Sequence, residues 1–141
     1  MIFAVTGTRT PPAGAGGVIE AEMTRRYDPV TDVLVSGGAV GVDAIAARVW
    51  TRLGGVVHTV LPGNRKAVDA DWDRFCTTHE ALAVGTSYRA RNERMVALAD
   101  AVLGFPLHPE QDGRSRRSGT WMTLRIARRV GKREFWVLLA G

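Results

Sequence analysis

The chain has 141 residues, 45% of them hydrophobic and 23% charged, a composition that supports one buried core and excludes a disordered or fibrous polymer. Its lone cysteine, Cys76, excludes an internal disulfide and a metal cluster held by cysteines. Nineteen Lys and Arg against fourteen Asp and Glu leave a net charge of +5, placed unevenly: residues 1–84 carry eight basic and nine acidic side chains, residues 85–141 eleven and five.

In chain order, Ile2–Thr6 is an apolar strand that starts one residue after Met1, with no basic flank and no long apolar run. A signal peptide and a membrane span are therefore not expected, and a reducing cytoplasm is the expected location. Gly7-Thr8-Arg9 leaves the strand, Pro11 and Pro12 delay helix, and Ala13–Gly17 reads as too glycine-rich to be regular. A helix is expected from about Val18 to Tyr27, ended by Asp28-Pro29. Asp32–Ser36 is a second strand, Gly37-Gly38-Ala39-Val40-Gly41 a tight turn, and Val42–Leu53 a helix with Val42, Ile45, Ala46, Val49 and Leu53 at helical spacing. A third strand, Val56–Leu61, stops at Pro62-Gly63-Asn64. Residues 65–87 are the least periodic part, with a short helix over Asp71–Thr77 and a short edge strand over Ala81–Val84 as the expectations. Tyr88–Ala99 is helical, Ala101–Phe105 a strand, Pro106–Arg117 a polar loop, Gly119–Val130 a helix and Glu134–Leu138 the last strand.

Five strands alternating with helices predict an α/β fold, a Rossmann-like, doubly wound parallel sheet with right-handed crossovers, contained in a single domain over residues 1–141. With strand order 3-2-1-4-5, the ligand crevice lies outside the carboxyl ends of strands one and four, where the loops at Gly7, Gly37 and Pro106 meet. Gly37, Gly38 and Gly41 give backbone room for a phosphate at a helix start, or simply hold that helix against the sheet. Arg91 falls on the stripe shared with Met95 and Leu98, which faces the sheet. A buried arginine there needs a carboxylate, Asp43 or Asp100, or an anion in the crevice, with Asn92 beside it as a further hydrogen-bonding group. Ser118-Gly119-Thr120 opens the fourth helix as a plain N-cap or as a second anion cradle.

Between Arg114 and Arg133 stand eight basic residues and no acid, an electrostatic footprint for a phosphate-bearing ligand or nucleic acid, or a solvated helix face. Helical spacing puts Trp121, Arg125, Arg128, Arg129 and Lys132 on one polar side and Leu124, Ile126, Ala127 and Val130 on the other. An indole on the polar side stacks on a base, packs in a subunit interface or covers the arginine stems. His58, His79 and His108 show no metal-ligand spacing, and the alternating Asp69, Asp71 and Asp73 read as a solvated turn, so no metal and no cofactor are expected. Neither a nucleophile elbow nor a P-loop occurs.

Four ordered motifs, Gly7-Thr8-Arg9, Ser36-Gly37-Gly38-Ala39-Val40-Gly41-Val42-Asp43, Arg91-Asn92-Glu93-Arg94-Met95 with Asp100-Ala101, and Ser118-Gly119-Thr120, resemble the SLOG superfamily. That grouping joins DprA/Smf DNA-processing proteins, LONELY GUY phosphoribohydrolases and small stand-alone Rossmann-like proteins. The resemblance covers nearly the whole chain and implies a nucleotide-derived or phosphate-bearing ligand, bound by Gly7, Thr8, Arg9, Ser36, Asp43, Arg91, Asn92 and Ser118–Thr120. Its DprA-like side implies single-stranded DNA along Arg125 and Lys132. Its LONELY GUY-like side places Arg91 as the catalytic arginine of a nucleoside 5'-monophosphate N-glycosidase. Met122 stands where that family's partner glutamate lies, which leaves Glu93 or Asp43 as the substitute carboxylate. A homodimer accords with the habits of these families.

Overall fold

The computed structural model describes residues 1–139. Six strands form one parallel sheet: β1 (Ile2–Gly7), β2 (Val33–Ser36), β3 (Val56–Leu61), β4 (Thr78–Ala81), β5 (Ala101–Phe105) and β6 (Arg133–Trp136). Their order is β4-β3-β2-β1-β5-β6. The five expected strands stand in the expected order, and β4 adds a sixth at the β3 edge, in register from His58 against Thr78 to Leu61 against Ala81. The edge strand expected over Ala81–Val84 thus runs earlier, and only Ala81 is common to both. Nearly every β4 side chain is exposed, so no alternation of apolar and polar residues marked it.

Side chains alternate across the sheet and divide the core into two layers. From β1, Phe3 and Val5 pack beneath α1 (Ala15–Arg26) and α2 (Val42–Arg52), with Ile19, Met23, Ala46 and Trp50. Ala4 points the other way, toward α3 (Tyr88–Leu98) and α4 (Gly119–Arg129), with Met95, Val96, Trp121, Leu124 and Ala127. Helices on both faces bury the central strands, while the edge strands β4 and β6 stay largely exposed.

Three local expectations are corrected. α1 begins at Ala15, three residues before Val18 and inside the glycine-rich stretch, because Gly14 at φ 84° turns the chain in and burial of Ala15, Ile19 and Met23 on one stripe outweighs the poor propensity of Gly16 and Gly17. The helix over Asp71–Thr77 is a short 3-10 turn, Trp72–Phe75. The last strand is β6, which ends at Trp136 rather than Leu138. Among the described residues no helix is long and apolar enough to cross a membrane.

Candidate functional site

The reversal of strand order falls between β1 and β5, and a cleft of about 760 Å³ opens at their carboxyl ends. Its walls come from the loop after β1 (Gly7–Thr10), the head of α3 (Tyr88, Arg91, Asn92), the loop after β5 (Leu107, His108, Arg114, Ser115, Arg117) and the head of α4 (Ser118–Met122). Ala39 and Asp43 contribute from the second βα unit.

Of the glycine turn before α2, Ala39 lines this cleft and the three glycines do not. Three of the turn's amides and the first of α2 are already engaged: Gly38 N–H donates to Ser36 Oγ, Ala39 N–H to Asp43 Oδ2, Val40 N–H to Ala67 O and Val42 N–H to Thr8 O. Gly41, at φ 85°, lies so close to the first loop that a Cβ would stand 2.5 Å from Thr8 O, and a Cβ on Gly7 would meet Val42 at the same distance. The turn therefore braces the first loop against the start of α2, and Gly37, Gly38 and Gly41 have few donors left for a phosphate.

Arg91 is the centre of the floor. It is 6% exposed, its Nε donates to Asn92 Oδ1 at 2.9 Å and its Nη1 to Gly37 O at 2.7 Å. The Nη2 group has no protein acceptor among the described residues, and Arg91 lines the cleft. Of its two expected carboxylate neighbours, Asp100 accepts from Ile2 N–H elsewhere, whereas Asp43 sits beside it: Arg91 Nη1 and Asp43 Oδ2 both lie within 3 Å of where a Gly37 Cβ would be. Burial pushes the Asp43 carboxyl up to about 6 against the opposing pull of Arg91, the Ala39 amide and Arg9. Burial also lowers the Arg91 guanidinium, with Asp43 opposing. Asn92, equally buried, has only Met122 Sδ at 3.7 Å as acceptor for its amide, a weak partner that leaves donor capacity facing the cleft.

Across from Arg91, Ser118 caps α4: its Oγ accepts from Trp121 N–H at 3.2 Å. The Gly119 and Thr120 amides have no protein acceptor among the described residues, and open space surrounds Gly119. Glu93 is exposed and paired with Arg89 at 3.0 Å, so Asp43 is the one carboxylate in the cleft wall.

The supposed polar side of α4 is mostly spoken for. Trp121 is 1% exposed, which overturns its placement on the solvent side: its Nε1 donates to His108 O at 2.8 Å and its ring meets Trp136 edge to face at 5.3 Å. Val130, expected on the apolar side, is 58% exposed because it ends the helix. Arg125 donates to Glu110 at 2.9 Å, Arg128 reaches both Glu110 and Glu134, and Lys132 Nζ caps the carbonyls of Val96, Ala97 and Ala99 at the end of α3. Arg129 alone of the set is exposed without an ion pair among the described residues. These contacts tie the loop after β5 to α4, assisted by Ser115 Oγ on Pro109 O at 2.7 Å.

Arg114 and Arg117 belong to the basic run read from the sequence, but other cleft residues carried no site signal: Thr10, His108 and above all Tyr88, whose ring lies 5.1 Å from Arg9 Cζ and 5.7 Å from Arg91 Cζ. A tyrosine at a helix start looks like any N-terminal residue, and only the fold brings the first loop over it.

No family model and no curated protein sequence matches the chain. Solved structures do. DNA processing protein A from Streptococcus pneumoniae matches at a TM-score of 0.70 and 24% identity, over 95% of this chain and 49% of that one. Its counterpart from Helicobacter pylori, solved for its mode of binding single-stranded DNA, matches at 0.68 and 20%, over 96% and 64%. The Moco carrier protein from Chlamydomonas reinhardtii matches at 0.64 and 18%, over 96% and 75%. The chain shares the Rossmann-like fold of these structures. It spans less than two thirds of the two DNA-processing proteins, and at these identities the likeness concerns fold alone.

Proposed function

We propose that this protein binds a nucleotide-derived, phosphate-bearing ligand in the cleft at the carboxyl ends of β1 and β5. The observation that carries the reading is Arg91: a guanidinium nine-tenths buried, with Nη2 unfilled, lining the same cleft as the free amides of Gly119 and Thr120. A helix N-terminus and a fork of guanidinium donors are two complementary ways to hold a phosphate, and the buried setting strengthens both. Arg9, Thr8 and Asn92 complete the polar wall, and Asn92 Oδ1 and Gly37 O orient Arg91. The related structures include a single-strand DNA binder and a Moco carrier, so proteins of this fold take partners of different sizes, which supports a ligand-binding reading. The test is calorimetric titration of AMP into the wild-type protein and Arg91→Met. The wild type binds and the variant loses at least about tenfold in affinity while unfolding cooperatively; equal affinity of the two removes the reading.

A second reading, single-stranded DNA binding, is supported by the Helicobacter pylori neighbour. With Arg125, Arg128 and Lys132 occupied by internal partners, its contacts pass through Arg9, Arg117 and Arg129 rather than along the whole of α4. It requires affinity for an oligonucleotide that falls steeply with salt. N-glycosidase chemistry has Asp43 as its one cleft carboxylate, at the side of Arg91, and requires release of free base from a nucleoside monophosphate.

A further inference from the structure

The cleft holds more positive charge than one phosphate on its floor uses. Four guanidinium groups line it, Arg9, Arg91, Arg114 and Arg117, against the single carboxylate of Asp43. Two carboxylates offset the four: Asp43, which lies beside Arg91 and attracts Arg9 as well, and Asp112, paired with Arg114 at 2.8 Å. Arg9 and Arg117 have no carboxylate partner among the described residues, and both are exposed at the rim while Arg91 and Asn92 are buried beneath. A guanidinium keeps its charge at any working pH, so the rim retains two uncompensated cations when the floor is occupied. Those cations stand on separate walls, Arg9 on the loop after β1 and Arg117 just before the α4 cap. The volume, about 760 Å³, lies within the range of sites that enclose a whole cofactor-sized molecule.

Resting on the reading above, we propose that the natural ligand carries two linked phosphoryl groups, as a nucleoside diphosphate or another pyrophosphate ester does. The inner phosphoryl group meets Arg91, Asn92 and the Gly119 and Thr120 amides; the outer one meets Arg9 and Arg117. A diphosphate ester adds to the floor-bound group the charge that the two rim guanidiniums lack, and a monoester leaves them facing water.

The experiment is calorimetry at one fixed salt concentration with orthophosphate, pyrophosphate, AMP and ADP, using the wild type, Arg117→Ala and Arg91→Met. The expected result is that pyrophosphate binds more tightly than orthophosphate, and ADP more tightly than AMP, by about tenfold or more. Arg117→Ala, a change at an exposed position, removes most of that advantage and leaves AMP within about threefold of the wild-type value, whereas Arg91→Met weakens all four. Equal affinities for AMP and ADP, or an Arg117→Ala loss shared equally by both, overturn the two-phosphoryl proposal while leaving the phosphate site intact. Absence of binding by all four probes overturns both.

Discussion

Replacing Lys132 with methionine separates a structural use of the basic side of α4 from a nucleic-acid use. The Lys132 ammonium donates to three carbonyls at the end of α3, Val96 at 2.8 Å, Ala97 at 3.0 Å and Ala99 at 2.6 Å. These are orphan acceptors of a helix C-terminus, where a cation also meets the negative end of the helix dipole. Methionine keeps most of the stem but cannot donate. A single hydrogen bond to a charged group contributes about 1.5–3 kcal/mol, and a half-buried helix-end cation up to about 2 kcal/mol. These overlap, and water reaches the Ala97 carbonyl, so the net loss is about 2–3 kcal/mol, close to one strong interaction rather than three. For a chain of this size that lowers Tm by roughly 6–12 °C. Urea unfolding followed by tryptophan fluorescence measures it, with the denaturant slope unchanged. A loss below about 0.5 kcal/mol would refute the capping role, and the same variant with unchanged stability but weaker oligonucleotide binding would return Lys132 to the DNA-contacting set.

Other consequences follow from the site's packing and charge. Gly41→Ala places a Cβ 2.5 Å from Thr8 O at a φ of 85°, and equilibrium unfolding should show a loss of about 3 kcal/mol; Gly119→Ala, with open space around it, should stay within about 0.5 kcal/mol of wild type. Comparable values for the two would contradict the bracing role of the glycine turn. Asp43 has its folded pKa raised from 3.8 to about 6, so the native state holds that proton more tightly than the unfolded chain does. Ionising Asp43 therefore opposes folding: its contribution falls as pH rises from about 4 to about 6, by about 3 kcal/mol, and is flat above that. The ion-paired carboxylates Glu22, Glu80, Glu110 and Asp112 are held low and act in the opposite sense, losing stability on acidification. Subtracting the pH–stability profile of Asp43→Asn from that of the wild type isolates the first effect, and a difference that does not change between pH 4 and pH 6 would refute it.

The βα units with strong apolar periodicity were legible from the sequence, and so was the place of the cleft, because strand order and the positions of the three loops follow from them. Arg91 was legible too, since its helical register leaves a buried cation wanting an anion. What failed depended on partners distant in the chain. Arg125 and Arg128 look like an uncompensated run until Glu110 and Glu134 are folded against them. Trp121 shares a helical side with those arginines, yet the loop after β5 and Trp136 cover it. The glycine turn has the composition of a phosphate cradle, and only its hydrogen bonds to Ser36, Asp43, Ala67 and Thr8 reveal it as a brace. β4 had no alternating pattern because an exposed edge strand needs none.

Crystals soaked in tungstate, a phosphate surrogate with a strong anomalous signal, test the phosphate site most directly. The peak belongs between the Arg91 guanidinium and the Gly119 and Thr120 amides, within hydrogen-bonding distance of both. A map in which tungstate sits instead along Arg129 and the outer side of α4, or in which the cleft stays empty while the ion binds elsewhere, contradicts the account.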